Sequence, residues 1–294
     1  MTLPDTPALR PLSLTLPDGR RLACTETGPA DATDLLLCLP GILETRQSFE
    51  TLLRMAPSGL RVLSVDLCGR GDADPLPGDR GYSMARYLDD LHHLIGQEGR
   101  GSRLHLLGTS MGGILAMYLA SEAALQVQSL RLNDIGTSLH WSSLMALSRA
   151  MLDARADTPP ARLAAQLGVS PGVLEAVQSP THFDLPYRKN WQGMQFGELL
   201  RGFRGPIFLV RGQESVVCLS AQVHALRQQH PQARVLEVAG ASHPVPLNAA
   251  VCPFLLQGLQ SQDSVRAEPE PASSTDGAAH RSLWQWLRTR LTGR

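Results

Sequence analysis

The chain has no excess of either charge: over 294 residues, 27 lysines and arginines are offset by 27 aspartates and glutamates. No global field draws nucleic acid or an acidic partner, and the balance suits a small, mostly neutral ligand. A leader-like apolar run is also missing. Residues 1–20 carry prolines at 4, 7, 11 and 17 and no apolar core of signal-peptide length, so neither export nor a membrane span is expected. The five cysteines, at 24, 38, 68, 218 and 252, are odd in number and form no C-x-x-C pair. That scatter predicts reduced thiols in the cytoplasm and no structural zinc site. None of the nine histidines has metal-ligand spacing, so no metal or cofactor is expected. His92, His93, His105, His140, His182, His224 and His230 are read as surface or packing residues.

What is present is an ordinary enzyme composition, 43% hydrophobic and 18% charged, in a chain long enough for one large α/β domain. The stretch around which the rest is organised runs from Leu104 to Ala116. A short apolar run meets Gly108-Thr109-Ser110-Met111-Gly112, and Ile114, Leu115, Met117, Tyr118 and Leu119 then follow a helical pattern. A tight strand-to-helix bend lifts a serine oxygen clear of a sheet and aims unsatisfied helix N–H groups towards it, which makes Ser110 a candidate nucleophile. Gly108, Gly112 and Gly113 fit the same geometry, because side chains there would collide with a neighbouring strand or helix.

Elsewhere, strands and helices alternate. Leu12–Leu16 and Arg21–Thr25 flank Pro17-Asp18-Gly19 as a hairpin, and Leu35–Leu39, Arg61–Val65 and Leu104–Leu107 read as strands buried on both faces. Further strands are expected at Leu130–Leu132, Pro206–Val210 and Ala233–Val238, with helices from Ser83, over Ala221–Gln229 and over Pro246–Leu259. This pattern predicts βαβ units and a mostly parallel central sheet flanked by helices. Between residues 137 and 200 helical periodicity dominates, broken at Pro159-Pro160, Ser170-Pro171-Gly172 and Pro180, with no convincing strand. That segment reads as a helical cap inserted after strand 6, over an active site. The core is then 1–136 and 201–259. Residues 260–294 read as a disordered linker and a short amphipathic helix over Ser282–Leu291. A short basic helix of this kind more often packs on its own domain or a partner than on a membrane surface.

With Leu39-Pro40-Gly41-Ile42, Asp66-Leu67-Cys68-Gly69-Arg70-Gly71, Gly108-Thr109-Ser110-Met111-Gly112-Gly113 and Gly240-Ala241-Ser242-His243 in place, the chain resembles the α/β-hydrolase superfamily over about residues 10–258. Asn133-Asp134-Ile135-Gly136 further resembles a bacterial, cap-bearing, esterase-like subgroup. The resemblance implies that His243 takes the proton of Ser110, and that the backbone N–H groups of Ile42 and Met111 hold the oxyanion. It also exposes a gap. The loop Arg211-Gly212-Gln213-Glu214-Ser215-Val216-Val217, where relatives usually keep an aspartate, has none, and Val216 occupies the aligned position. Two carboxylates could substitute: Glu214 in that loop, or Asp134 after the sixth strand. Glu214 is preferred because the order serine, acid, histidine is kept; a damaged triad is the third reading.

The expectation is therefore a cytoplasmic serine hydrolase that cleaves a carboxylic ester or thioester of a small, mostly apolar substrate through an acyl-enzyme. Gly41, Leu43, Trp141, Met145 and Trp191 are expected to line its pocket. Hydrolysis of a C–C bond, amide or lactone on the same machinery is the alternative within enzymes. A catalytically weakened binding protein on the hydrolase scaffold is the alternative outside them.

Overall fold

Alternate residues of the strand Asp34–Leu39 (β3) enter opposite cores: Leu35, Leu37 and Leu39 pack on one side of the sheet, Leu36 and Cys38 on the other. Leu60–Val65 (β4) divides in the same way, with Leu63 and Val65 on the first side and Leu60 and Val62 on the second. A strand covered on both faces has no solvent-facing side to alternate with, which is why β3 is apolar from Leu35 to Leu39 and β4 is interrupted only at Arg61 and Ser64. The computed structural model describes residues 8–77, 81–178 and 187–259. The expected linker and C-terminal helix of residues 260–294 lie outside them, as do His182 and Phe183.

The sheet has eight strands. In addition to β3 and β4 these are Arg10–Thr15 (β1), Arg21–Thr27 (β2), Arg103–Thr109 (β5), Ser129–Asn133 (β6), Ile207–Gly212 (β10) and Arg234–Val238 (β11). Their order is β1-β2-β4-β3-β5-β6-β10-β11, antiparallel only in the β1-β2 and β2-β4 pairings and parallel from β4 onward. The C-terminal ends of β3, β5, β6, β10 and β11 therefore share one edge, where an open parallel sheet presents its ligand site. Helices cover the faces. The helix Met84–Glu98 (α2) is capped by Ser83, whose Oγ accepts the Arg86 N–H at 3.3 Å, as its sequence predicts. Met111–Ala120 (α3) is apolar nearly all round and lies buried. Glu50–Arg54 (α1) and Ser220–Gln229 (α7) complete the flanking layer.

After β6 the chain leaves the sheet and returns at β10. The excursion holds the helices Trp141–Ala156 (α4), Pro160–Leu167 (α5) and Pro171–Gln178 (α6). Pro160 stands at the first position of α5, where a missing N–H costs nothing, and Gly168 ends that helix in a left-handed conformation at φ 65°. The cap is not purely helical. Ser138–His140 (β7), Arg188–Asn190 (β8) and Gly193–Gln195 (β9) form a second, three-stranded antiparallel sheet in the order β7-β9-β8. Three-residue strands are too short to show a period of two, so the sequence pattern concealed them.

The expected closing helix over Pro246–Leu259 is also corrected: only Cys252–Leu255 (α8) is helical. The Asn248 side chain accepts the Ala250 and Val251 N–H groups at 3.0 and 3.2 Å in the turn that leads into it, and Gly258 turns left-handed at φ 73° just beyond it.

Candidate active site

Ser110 joins β5 to α3 with φ at 50°, a left-handed conformation that costs a non-glycine residue roughly 1–3 kcal/mol. Its N–H donates to the Asn133 carbonyl at 3.0 Å, and its own carbonyl accepts the Gly113 and Ile114 N–H groups at 2.9 and 3.2 Å. The expected glycine requirement holds. A Cβ on Gly112 would lie 2.1 Å from the Leu39 carbonyl oxygen, and one on Gly108 would lie 2.2 Å from that of Gly112. Packing this tight over-determines the bend and holds the serine in its strained position.

His243 follows β11, and its Nε2 lies 2.9 Å from Ser110 Oγ. Its Nδ1 lies 2.8 Å from Asp134 Oδ2, and Asp134 is fully buried at the end of β6. The second oxygen of Asp134 accepts the Gly212 N–H at 2.9 Å, while its own N–H donates to the Val210 carbonyl at 2.8 Å. Asp134 itself is left-handed at φ 56°, which turns its side chain out of the strand direction and across to the His243 loop.

Glu214, the carboxylate preferred from sequence, is not the histidine's partner. Its side chain is exposed, and its N–H is tied to the Ala241 carbonyl at 2.9 Å. Val216 is 58% exposed, and its carbonyl accepts the Ser143 hydroxyl at 2.6 Å, tying the β10 loop to the cap. Asp134 also satisfies the chain order serine, acid, histidine, so that criterion never separated the two carboxylates.

The N–H groups of Ile42 and Met111 have no acceptor among the described residues, and both residues border the cavity at Ser110. Two unengaged backbone donors beside a serine hydroxyl could hold a developing oxyanion. One positioning residue escaped the sequence reading. Asn133 donates its amide to the Val245 carbonyl at 2.9 Å and to Thr109 Oγ1 at 3.3 Å, tying the histidine loop to β5 and β6. The Asn-Asp-Ile-Gly motif was its only signal.

A narrow apolar cavity opens on Ser110. Ile114 and Ile135 form its walls from the core, and Leu139, Leu144, Leu147 and Met194 cover it from the cap. The pocket residues expected from sequence are corrected. Gly41 and Leu43 only flank Ile42, Met145 is 50% exposed, and Trp191 is 86% exposed. Trp141 turns its indole N–H to the Asn190 carbonyl at 3.0 Å, stitching α4 to β8. Side chains one helical turn away line the cavity instead, because the apolar spacing of α4 does not reveal which face meets the core. The loop after β4 is pinned by its own carboxylate: Asp66 accepts the Arg46 N–H at 2.7 Å and the Asp72 N–H at 3.0 Å.

Among the described residues, no group of three or more His, Cys, Asp or Glu side chains could hold a metal. All five cysteines are buried and unpaired. No helix among the described residues is long and apolar enough to cross a membrane.

Comparison with known proteins places this geometry. A family model of the alpha/beta hydrolase fold matches residues 34–169. The chain is 27% identical to a 3-hydroxybutyrate-oligomer hydrolase of Cupriavidus necator, over 81% of this chain and 93% of that protein. It is 31% identical to Lipase 1 of Psychrobacter immobilis, over 42% of this chain and 38% of that protein. A solved hydrolase structure from Pseudomonas aeruginosa PA01 superposes with a TM-score of 0.65 at 24% identity, covering 85% of this chain and 98% of the other. The mostly parallel sheet, the strand-to-helix bend after β5 and these matches agree: the chain has the alpha/beta hydrolase fold and is similar to hydrolases that share it.

Proposed function

We propose that the protein is a serine hydrolase that cleaves a carboxylic ester or thioester of a small, mostly apolar substrate through an acyl-enzyme. The observation that carries this reading is the continuous hydrogen-bonded line from Ser110 Oγ through His243 to Asp134, at 2.9 and 2.8 Å, on the floor of an apolar cavity. His243 takes the Ser110 proton as Oγ bonds to the substrate carbonyl carbon, and Asp134 stabilises the imidazolium that forms. The negative charge on the carbonyl oxygen is held by the Ile42 and Met111 N–H groups. Collapse breaks the bond to the alcohol or thiol, which leaves with the proton from His243. Water, deprotonated in turn by His243, then cleaves the acyl-serine and releases the acid. The chemistry calls for no cofactor.

The apolar lining supports an apolar acyl or alcohol group, and the names of the relatives, an oligomer hydrolase and a lipase, support ester chemistry. The same machinery would serve a C–C bond, an amide or a lactone. The weakened-scaffold alternative rested on Val216, and an acid supplied by Asp134 favours the enzyme over it. Buried free thiols are consistent with a cytoplasmic home, and the partner is a small molecule rather than nucleic acid or a membrane.

A fluorophosphonate probe tests the reading: wild type should label and Ser110→Ala should not. A panel of short-chain esters and thioesters given to purified protein should be turned over only by the labelled form. Absence of both labelling and turnover in wild type would favour a binding protein.

A further inference from the structure

We propose that Glu44 is a positioning residue of the oxyanion loop, a role that rests on the serine-hydrolase reading above. The donor at issue is the Ile42 N–H, and a loop peptide can rotate its N–H away from the pocket unless its neighbours are held. All of them are held here. The Gly41 N–H, one peptide before the donor, gives its hydrogen bond to Glu44 Oε2 at 2.7 Å. The Gly41 carbonyl, on the same peptide as the donor, accepts the Glu44 N–H at 3.2 Å, so the opposite end of that peptide, the Ile42 N–H, faces away from the turn. The Ile42 carbonyl, one peptide after the donor, accepts Arg70 Nε at 2.7 Å. Arg70 is in turn fixed: it is 1% exposed, its guanidinium lies 4.9 Å from the centre of the Tyr87 ring, and it donates to the Cys68 carbonyl at 3.4 Å. Of the four polar backbone groups on residues 41 and 42, only the Ile42 N–H has no partner among the described residues.

A carboxylate in this position is otherwise hard to explain. Burial pushes the Glu44 carboxyl above its usual range, against the pull of the Gly41 N–H, the His243 ring and Ser48. A negative charge close to a site that must stabilise another negative charge opposes catalysis unless it serves a local purpose, and the Gly41 N–H is that purpose. Gly41 accommodates it, since a Cβ there would stand 2.9 Å from Glu44 Oε2. Without this acceptor the Gly41 N–H would be left to compete for substrate oxygen or water, and the loop would lose its register beside the nucleophile.

The test compares Glu44→Ala, which removes the acceptor, with Glu44→Gln, which keeps an oxygen acceptor without the charge. Removal of an oxyanion donor outright costs about 10²–10³ in kcat, so misplacement of one should cost about 10–100-fold. We expect Glu44→Ala to lose that factor in kcat with KM within about twofold, as fits an interaction made only in the transition state. Affinity for a trifluoromethyl ketone, which presents an oxyanion to the loop, should fall by the same factor, and Glu44→Gln should recover most of both. Should Glu44→Ala fail to fold, Glu44→Asp, one methylene too short to reach Gly41, serves in its place. An unchanged kcat, a loss confined to KM, or a Gln variant no better than Ala overturns the assignment. Ser110→Ala separates the two levels: full turnover without the serine defeats the serine-hydrolase reading, whereas a dead Ser110→Ala beside an unaffected Glu44→Ala defeats only this one.

Discussion

The Nδ1 of His243 is 2.8 Å from Oδ2 of Asp134, a residue 109 positions earlier in the chain and on a different strand of the sheet. That contact decides which carboxylate orients the imidazole. Asp134→Asn should lower kcat by about 10⁴, as the loss of the orienting acid does in other triads, while Glu214→Gln should stay within about threefold of wild type. Steady-state kinetics on one activated ester suffices, and the reverse order would return the role to the β10 loop.

Substrate length should be set by the cap. Leu144 is buried at the roof of the cavity, so Leu144→Trp fills space that a longer acyl chain would need. Hydrophobic pockets discriminate by roughly 10–200-fold per methylene-sized change, and kcat/KM for an octanoyl ester should fall about tenfold or more while an acetyl ester is little affected. Equal losses on both esters would mean that the acyl group lies elsewhere.

Glu44 should make stability depend on pH. Burial raises its folded-state value above the unfolded one, so its contribution is fully present below the unfolded glutamate value of about 4.3 and is lost as pH rises through the higher folded value. Glu44→Gln cannot ionise and escapes that loss. The Tm of the Gln variant minus that of wild type should therefore grow from acid towards neutral pH, as read by thermal melts; a difference independent of pH would contradict the buried-carboxylate argument.

Two glycines should respond in opposite directions. A methyl on Gly112 would meet the Leu39 backbone at 2.1 Å, and since neither backbone can retreat, Gly112→Ala should cost ~3 kcal/mol or prevent folding. Gly96 is exposed within α2 with nothing within 4 Å of its would-be Cβ, so Gly96→Ala should stabilise by about 0.5–1 kcal/mol. Urea unfolding of both variants reads the contrast.

The sequence by itself determined the strands of the large sheet, the strand-to-helix bend at Ser110 and the three close-packed glycines. Each is local: a buried strand is a continuous apolar run, and a strand-to-helix bend names its own residues within a span of six. Only the tertiary structure decided between Asp134 and Glu214, because that choice depends on how far apart β6 and the β10 loop are held from a third loop, a distance no spacing in the chain encodes. It likewise decided which side of α4 closes the cavity, and that Glu44 and Arg70 brace the Ile42 peptide from two directions. The physical reason is common to all three. Hydrogen bonds between segments remote in sequence leave no periodicity or motif behind them, and they exist only once the sheet has set its strand ends side by side.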